Sequence, residues 1–289
     1  MKERTKPKNA QNLTHKDIAA FRRLIYGHFR ERGRELPWRT TQDPYHILVS
    51  EFMLQQTQVE RVLRKYGPFI AQFPDVGGLA GADLGAVLAA WQGLGYNRRC
   101  IALHRTARLL VTELDGRISD SVETLQTLPG IGAATGGALV AFAYNKPVVF
   151  VETNIRRVFI HRFFPEEQNV KDAQILPLVE ATLDRSSPRS WYYALMDYGA
   201  TLKLVDGNPN RRSAHYSRQT RFQGSDRQIR GLIVKAALKR RVFTLEDIIR
   251  EVGREPKRVA LILERLIREG FLERTGSHVK ITSGRARAD

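Results

Sequence analysis

Apolar residues recur at three- and four-residue spacing almost without interruption from Asp17 to Val205, and this period constrains the fold most strongly. Segments such as DIAAFRRLIYGHF and QVERVLRKYGPFIAQF show the spacing clearly. It places the apolar side chains on one face of an α-helix, while the Pro and Gly residues between segments mark short connections. This region has no sustained run of alternating apolar and polar residues, which would indicate a sheet. We therefore predict an all-helical core over residues 14–205.

The segments on either side of this core differ from it in composition. Residues 1–13 are charged and predict a basic flexible arm, and residues 206–225 are polar, rich in Gly and Pro, and predict a loop or linker. Between Arg211 and Arg241 there are ten Lys and Arg residues and one acid, Asp226. This stretch is the most basic part of the chain.

Residues 226–289 are predicted to form a small separate module. Thr244 can cap a helix that ends at Gly253, and Pro256 can open a second helix that ends at Gly270. The segment FLERTGSHVKI, which follows Gly270, can fold back as two strands. Two helices and a hairpin favour a winged-helix-like α+β module, although an ordinary appendage that only packs against the core fits the same pattern.

The net charge restricts the partners of the chain. Lys and Arg number 47 against 30 Asp and Glu, and the isoelectric point is near 10.3. A polyanion is the expected partner, with nucleic acid favoured over an anionic membrane surface. No run of about 18 apolar residues predicts a membrane span, so we expect a soluble, cytoplasmic protein, associated with the nucleoid if the cell is prokaryotic. A single cysteine, Cys100, excludes an internal disulfide and a cysteine-ligated cluster held by this chain alone.

The most specific motif is LPGIGAATGGALVAF, which starts at Leu128. Gly130 and Gly132 can adopt positive φ in a tight hairpin, and the small residues from Ala133 onward suit a closely packed helix. Such a hairpin points backbone N–H groups at an anion near a helix N-terminus. A phosphate bound there fixes position without reading sequence.

A carboxylate follows about twenty residues later in the stretch VVFVETNIRRV. The apolar run leads directly to Glu152, so the acid stands where the chain enters a core. Glu152 can cap the helix that starts near Thr153, or it can pair with Arg156 one turn on. The other interpretation is that the acid is kept away from water for catalysis.

These motifs together resemble the helix-hairpin-helix (HhH-GPD) DNA glycosylase superfamily, which includes endonuclease III and the MutY-type adenine glycosylases. The similarity runs from about Leu36 to Ala200 and rests on LPWR, DPYHILVSEFMLQQTQV, WQGLGYNRR, LPGIGAATGGA, VETNIRRV and MDYGA. SEFMLQQTQV is particularly similar to the MutY branch. The resemblance implies a two-lobed, all-helical core that acts on double-stranded DNA containing a mispaired or damaged base, and we expect a monomer.

The resemblance assigns chemistry to two carboxylates. Glu51 matches the acid that donates a proton to the departing base, a task that needs a raised pKa, which burial beside Phe52, Met53 and Leu54 could supply. Glu152 matches an aspartate that stabilises the cationic sugar. Glutamate is longer by one methylene, about 1.5 Å, so either the pocket is rebuilt around it or the enzyme is impaired. The alternative for Glu51 is an ordinary glutamate at a helix start.

Further positions match by the same resemblance. Asn154 corresponds to a pocket asparagine that orients water or the sugar, Gln55 and Gln56 to a pair that probes the duplex, and Tyr96 to an aromatic wedge. Ala134 stands where endonuclease III-like enzymes have the lysine that forms a Schiff base, so a monofunctional enzyme is expected unless another lysine, such as Lys146, substitutes. The remaining predicted DNA contacts are Leu128, Gly130, Gly132, Ala133, Arg211, Arg212, Arg218 and Arg221. The carbonyls of Gln126, Leu128 and Ile131 match those that hold a structural Na⁺ or K⁺.

Two departures loosen the substrate assignment. The chain has no four-cysteine iron–sulfur loop after MDYGA, so no cofactor is expected to be required. We expect the Arg-rich segment to replace that loop as a basic surface that contacts phosphate. His215 and Tyr216 in this segment are expected to face DNA or to pack. We also expect the large C-terminal domain of MutY proteins to be absent. We predict a monofunctional glycosylase of base excision repair with adenine opposite guanine or 8-oxoguanine as first candidate. A thymine, uracil or oxidised-pyrimidine glycosylase and a non-catalytic lesion-binding protein are the alternatives.

Overall fold

The structure is a computed structural model that describes residues 12–205, 207–219 and 221–282. Most of the predicted arm, residues 1–11, lies outside the described residues, as do Asp206, Thr220 and residues 283–289. Helices dominate the described chain, and three short strands lie near its C-terminal end. None of the described helices combines the length and the apolar character that crossing a bilayer requires. The predicted mostly α fold with a small C-terminal α+β module is confirmed.

Short connections join the helices of the described chain. The α-helices are α1 (His15–Arg32), α2 (Pro44–Leu54), α3 (Val59–Gln72), α4 (Val76–Gly81), α5 (Leu84–Trp91), α6 (Arg98–Glu113), α7 (Val122–Gln126), α8 (Ala133–Tyr144), α9 (Thr153–Phe163), α10 (Asp172–Thr182), α11 (Pro188–Val205), α12 (Asp226–Arg240), α13 (Leu245–Val252) and α14 (Pro256–Arg268). The strands are β1 (Val242–Phe243), β2 (Leu272–Thr275) and β3 (His278–Ile281). Two 3-10 helices span Pro37–Arg39 and Pro209–Arg212.

The described residues group into two compact units. The first unit takes its residues from Met1–Ile47, Ser119–Thr127 and Ile131–Arg218. The second takes them from Leu48–Ile118, Leu128–Gly130 and Gln219–Asp289. The sequence boundaries at residues 14–205, 206–225 and 226–289 stay predictions.

An aromatic cluster forms the core of the first unit. Phe21 of α1 meets Phe159 and Phe163 of α9 and Trp191 of α11 edge to face, with ring centroids 5.3–5.8 Å apart. All four side chains are buried. The helical period of the sequence brings these rings to one side of each helix, and their burial holds α1, α9 and α11 together.

Small residues let α8 approach the segment that leads to Glu152. A Cβ atom at Gly137 would lie 2.7 Å from Cβ of Phe150, closer than two such atoms can come. Phe150 is buried and packs on Tyr192, with ring centroids 4.3 Å apart. The stretch VVFV is therefore part of the first unit's core and positions the residue that follows it.

The C-terminal module lies in the second unit. Its strands form an antiparallel sheet in the order β1-β3-β2. Thr244 caps α13 through the backbone N–H of Asp247, and Gly253 ends that helix at φ +59. The predicted pair of helices and the hairpin are confirmed, whereas α12 and the two-residue β1 add to what the sequence pattern indicated.

Candidate functional site

Glu51 lies near the end of α2 in the second unit. The flanking residues Phe52 and Met53 are fully buried, but Glu51 itself is half-buried. Neighbours one and two positions apart on a helix do not share a face, so burial of Phe52 and Met53 does not enclose the carboxyl group. The expected burial of Glu51 is therefore only partial, and the side chain keeps access to solvent.

The glutamine pair follows α2 directly. Gln55 Nε2 donates to the carbonyl of Gly130 at 3.2 Å, which ties the pair to the first part of the LPGIG motif. Gln56 is exposed and has φ +54, in the left-handed region that glutamine seldom adopts. The structure thus brings Gln55 and Gly130 together, two residues that the sequence placed in separate motifs.

A buried arginine supports this arrangement. The guanidinium of Arg99, on α6, donates to the carbonyls of Phe52, Met53, Gln55 and Gly95 and to the hydroxyl of Thr57. Burial lowers the pKa of Arg99 to about 10, so it is charged at neutral pH. A cation at the C-terminal end of α2 also complements the helix dipole. Sequence reasoning did not single out Arg99, although it stands in the quoted motif WQGLGYNRR.

Tyr96, the predicted wedge, is half-buried and is not a core residue. Its φ of +48 is unusual for a bulky side chain. The hydroxyl oxygen accepts hydrogen bonds from Arg227 Nη1 at 3.0 Å and from Gln219 Nε2. The guanidinium of Arg99 lies 5.4 Å from the ring centroid. Three polar side chains therefore surround an aromatic ring that remains partly open to solvent.

The two hairpin glycines differ in conformation. Gly130 has φ +80, and a Cβ atom there would lie 2.8 Å from side-chain atoms of Ala102 and Phe52. Gly132 has φ −96, so the expectation of positive φ at this position is wrong. The chain needs one left-handed turn here, after which Gly132 serves as an extended N-cap of α8. Gly132 and Ala133 are exposed, which leaves the N-terminus of α8 accessible, while Leu128 is buried.

Glu152 caps α9 in the first unit. Its Oε1 accepts the backbone N–H groups of Asn154 at 2.6 Å and Ile155 at 2.8 Å, and its Oε2 accepts from Asn154 Nδ2 at 3.3 Å. The capping interpretation is therefore right, and the proposed pairing with Arg156 is replaced by two bonds of 2.6 Å from Arg156 to Asp172. Desolvation raises the pKa of Glu152, opposed by the cap hydrogen bonds and by the charge of Arg157.

Arg157 positions the capping group. It is buried, and its Nη1 donates to Asn154 Oδ1 at 2.8 Å and to the carbonyl of Gly199 at 2.6 Å. A Cβ atom at Gly199 would lie 2.4 Å from the carbonyl oxygen of Asn154, so only glycine allows α11 this close. The MDYGA motif thus packs on the residue that binds Glu152. The signal for Arg157 in the sequence is its spacing of three from Asn154, which places both side chains on one helix face.

The segment after α11 is bonded to both ends of α9. Asn208 Oδ1 accepts from Arg157 Nε at 3.2 Å, and Asn210 Nδ2 donates to the carbonyl of Thr153 at 2.8 Å. Arg212 donates to carbonyls at the other end of α9, Ile160 and Phe164. This segment therefore supports the helix that carries the Glu152 cap.

The basic residues predicted to bind DNA differ in their surroundings. Arg211, Arg218 and Arg221 are exposed, whereas Arg212 is half-buried and already donates to protein carbonyls. The Nε2 atom of His215 lies 3.9 Å from the Oδ2 atom of Asp172. The DNA contacts of all four arginines stay predictions.

The described residues contain no cluster of three or more His, Cys, Asp or Glu side chains able to hold a metal ion. The sequence has one cysteine, and Cys100 is buried in α6, which does not fit an iron–sulfur cluster. The alkali cation stays a prediction, and of its predicted ligands Gln126 ends α7, while Leu128 and Ile131 lie in the connection to α8. Lys146, the alternative lysine, pairs with Asp120.

The sequence and the fold of this chain are similar to those of DNA glycosylases. Residues 49–178 match the family described as HhH-GPD superfamily base excision DNA repair protein. The chain is 37% identical over 227 residues to an adenine DNA glycosylase of Mycolicibacterium smegmatis, covering 72% of this chain and 76% of that protein. A thermostable thymine-DNA glycosylase has a similar fold, with a TM-score of 0.61 at 24% identity over 67% of this chain and 91% of the other. A trapped endonuclease III–DNA intermediate gives a TM-score of 0.52 at 17% identity over 66% and 86% of the two chains.

Proposed function

Because the chain belongs to the HhH-GPD superfamily and, within it, to the adenine DNA glycosylase family, we propose that it is a monofunctional glycosylase that removes adenine mispaired with guanine or 8-oxoguanine. The partner is double-stranded DNA, and the product is a free base with an abasic site in an unbroken strand. A net charge of +17 supports attraction to the phosphate backbone. We expect the protein to act as a monomer.

The reaction divides between two carboxyl groups. Glu51 donates a proton to the departing base, which takes the electron pair of the N-glycosidic bond as neutral adenine. The carboxylate of Glu152 stabilises the cationic sugar that remains, and water then adds to its anomeric carbon. Asn154 orients the carboxylate or the water. The proton lost by the water restores the acid.

The observation that carries this proposal is the way Glu152 is held. Two backbone N–H groups and the Asn154 amide bind its carboxylate, and Arg157 holds the amide from the other side. A carboxylate held in this way needs little reorganisation when positive charge develops near it. An ordinary helix cap does not need the additional buried arginine.

Alanine at position 134 supports a hydrolytic rather than a lyase reaction. A methyl group cannot form a Schiff base with the sugar, so strand cleavage by that route is not expected. Lys146, the alternative nucleophile, is engaged with Asp120. We propose no step that uses an iron–sulfur cluster, since the single cysteine does not fit one.

The test is a single-turnover assay on labelled duplexes that each contain one candidate base. The duplexes carry adenine opposite guanine, adenine opposite 8-oxoguanine, thymine or uracil opposite guanine, and an oxidised pyrimidine. We expect strand breaks in the adenine duplexes only after alkali treatment, because hydrolysis leaves an intact strand. A fully paired duplex is the control.

The other outcomes of this assay separate the alternatives. Faster excision of thymine, uracil or the oxidised base would replace adenine as the substrate. Breaks without alkali would contradict the monofunctional reaction. Tight binding with no abasic product in any duplex would show a lesion-binding protein instead of an enzyme.

A further inference from the structure

Helix α12 of the C-terminal module borders Tyr96 within the second unit. Arg227, at the second position of α12, donates to the Tyr96 hydroxyl at 3.0 Å, and its guanidinium carbon lies 6.0 Å from the ring centroid. Gln219, seven residues before α12, donates to the same oxygen. The glycosylase motif WQGLGYNRR and the module therefore share one hydrogen-bonded group.

The backbone at Tyr96 needs such support. A non-glycine residue in the left-handed region is disfavoured and persists where its surroundings hold it. Tyr96 has φ +48 and follows Gly95, which has φ +73. Two consecutive left-handed residues make this turn sensitive to the contacts of its side chains.

An ion-pair network fixes α12 to α6 next to this turn. Glu269, just after α14, accepts two hydrogen bonds from Arg98 of α6 and two from Arg230 of α12, at 2.5–3.1 Å. Burial alone would raise the pKa of Glu269, but the bonds from Arg98 and Arg230 and their charges lower it to about 2. The Glu269 carbonyl also accepts from Arg105 of α6. The carboxylate therefore remains charged at neutral pH and bridges the two helices.

Several cations of the module are neutralised inside the module. Arg258 and Arg265, both on α14, pair with Asp226. Arg274 pairs with Glu264. Two of the three arginines of α14 are thus bound to an acid within the module, and these contacts favour a supporting role for the module.

We propose that α12 of the C-terminal module, together with the segment before it, positions the wedge: Arg227 of α12 and Gln219 hold Tyr96 so that its ring enters the duplex beside the extruded base. This inference rests on the proposed role of Tyr96 in the glycosylase reaction. Arg227 and Gln219 are positioning residues, since they act through the tyrosine. The module thereby contributes to base extrusion without contacting the base.

The test compares Arg227→Ala with Tyr96→Phe and with the double variant. The readouts are base extrusion, followed by 2-aminopurine fluorescence in a mismatched duplex, and the single-turnover excision rate. Loss of one charge-assisted hydrogen bond predicts a decrease of about tenfold in the extrusion equilibrium. Tyr96→Phe keeps the ring but removes the shared oxygen, so it should show a similar decrease. The double variant should lose little more, because both substitutions break the same contact.

Arg274→Ala is the matched control, since it also removes one arginine of the module, but Arg274 bonds to Glu264 and not to Tyr96. Affinity for an undamaged duplex should fall equally in Arg227→Ala and Arg274→Ala, and only Arg227→Ala should lose extrusion. The proposal would be overturned if Arg227→Ala and Arg274→Ala showed equal base extrusion. It would also be overturned if Arg227→Ala reduced extrusion in the Tyr96→Phe protein as much as it does in the parent. Failure of the parent to excise any base would contradict the proposed function, while the fluorescence would still report extrusion.

Discussion

Glu152 is a helix cap and a candidate catalytic group. It closes the N-terminus of α9 through the N–H groups of Asn154 and Ile155, and it is the candidate stabiliser of the sugar cation. Aspartate is a good N-cap because its short side chain reaches the same N–H groups. The longer glutamate makes these bonds as well, so capping alone does not explain the extra methylene. If Glu152 has the proposed catalytic role, we expect the methylene to set the distance between its carboxylate and the sugar.

The proposed role of Glu51 predicts the effect of Glu51→Gln. The amide has nearly the same shape but cannot donate a proton to the leaving base, so the single-turnover rate should fall by at least about a hundredfold. Duplex affinity, measured by fluorescence anisotropy, should stay near the parental value because no charge-dependent DNA contact is assigned to Glu51. Excision at the parental rate would show that another group is the acid.

The raised pKa of Glu152 predicts an acid limit to the reaction. The sugar cation needs the ionised form, so the rate should decrease as the pH falls through a pKa above the ordinary glutamate value of 4.5. The measurement is the pH profile of the single-turnover rate at saturating enzyme. Glu152→Gln, which does not titrate, should be slow and lack this acid limb.

Glu152→Asp serves as the companion variant for that experiment. It should unfold at nearly the parental temperature, since aspartate preserves the cap, while its carboxylate retracts by about 1.5 Å. If the pocket is built for glutamate, the rate should fall by up to about a hundredfold. A faster Glu152→Asp enzyme would mean that the native residue is the impaired form.

At the scale of elements, the helix-hairpin-helix motif depends on one glycine more than on the other. Gly130 combines positive φ with close contacts to Ala102 and Phe52, whereas Gly132 has ordinary φ and nothing within 4 Å of an added Cβ atom. A single left-handed residue is enough to turn the chain from α7 toward α8. The sequence pattern GxG does not distinguish the two positions.

This difference predicts opposite outcomes for two alanine variants. Gly130→Ala should lower the free energy of unfolding by about 1–3 kcal/mol, because a Cβ atom meets both strain and steric overlap. Gly132→Ala should leave stability almost unchanged. Chemical denaturation of both variants measures the difference, and equal destabilisation would contradict the conformations assigned to the hairpin.

The segment after α11 is a second element whose role emerged from its contacts. In place of a cysteine-ligated loop, Asn208, Asn210 and Arg212 bind α9 through its Arg157 side chain and its terminal carbonyls. Hydrogen bonds to the carbonyls at a helix end stabilise that end. This polar segment thus supports the helix that carries the Glu152 cap. Its composition, read alone, indicated only a basic loop.

At the scale of the whole molecule, the net charge of +17 predicts binding that depends strongly on salt. If Arg211, Arg212, Arg218 and Arg221 each neutralise one phosphate, affinity should fall about a hundredfold between roughly 50 and 200 mM salt. Titrations of an undamaged duplex measure the slope. Arg212→Ala is informative, because a slope unchanged in this variant would mean that Arg212 only supports α9.

The family, the mostly α fold and the helices and hairpin of the C-terminal module could be predicted from the sequence, and all are confirmed. Helical period, caps such as Thr244 and turn glycines are local, so they are visible within a few residues. The positioning roles of Arg99 and Arg157 could not be predicted, since an arginine in a sequence indicates surface charge until its hydrogen-bond acceptors are known. Gln55 and Gly130 are 75 residues apart and meet only in the fold.

The sequence by itself determined the family, the presence of a carboxylate at positions 51 and 152, and the absence of lysine at position 134, because these depend only on which residues are present. Tertiary structure decided how those residues are held: Arg99 joins the glutamine pair to the turn before Tyr96, and Arg157 joins Asn154 to Gly199. Such bonds require side chains distant in sequence to be desolvated and aligned together. That alignment is a property of packing, which the order of residues does not display.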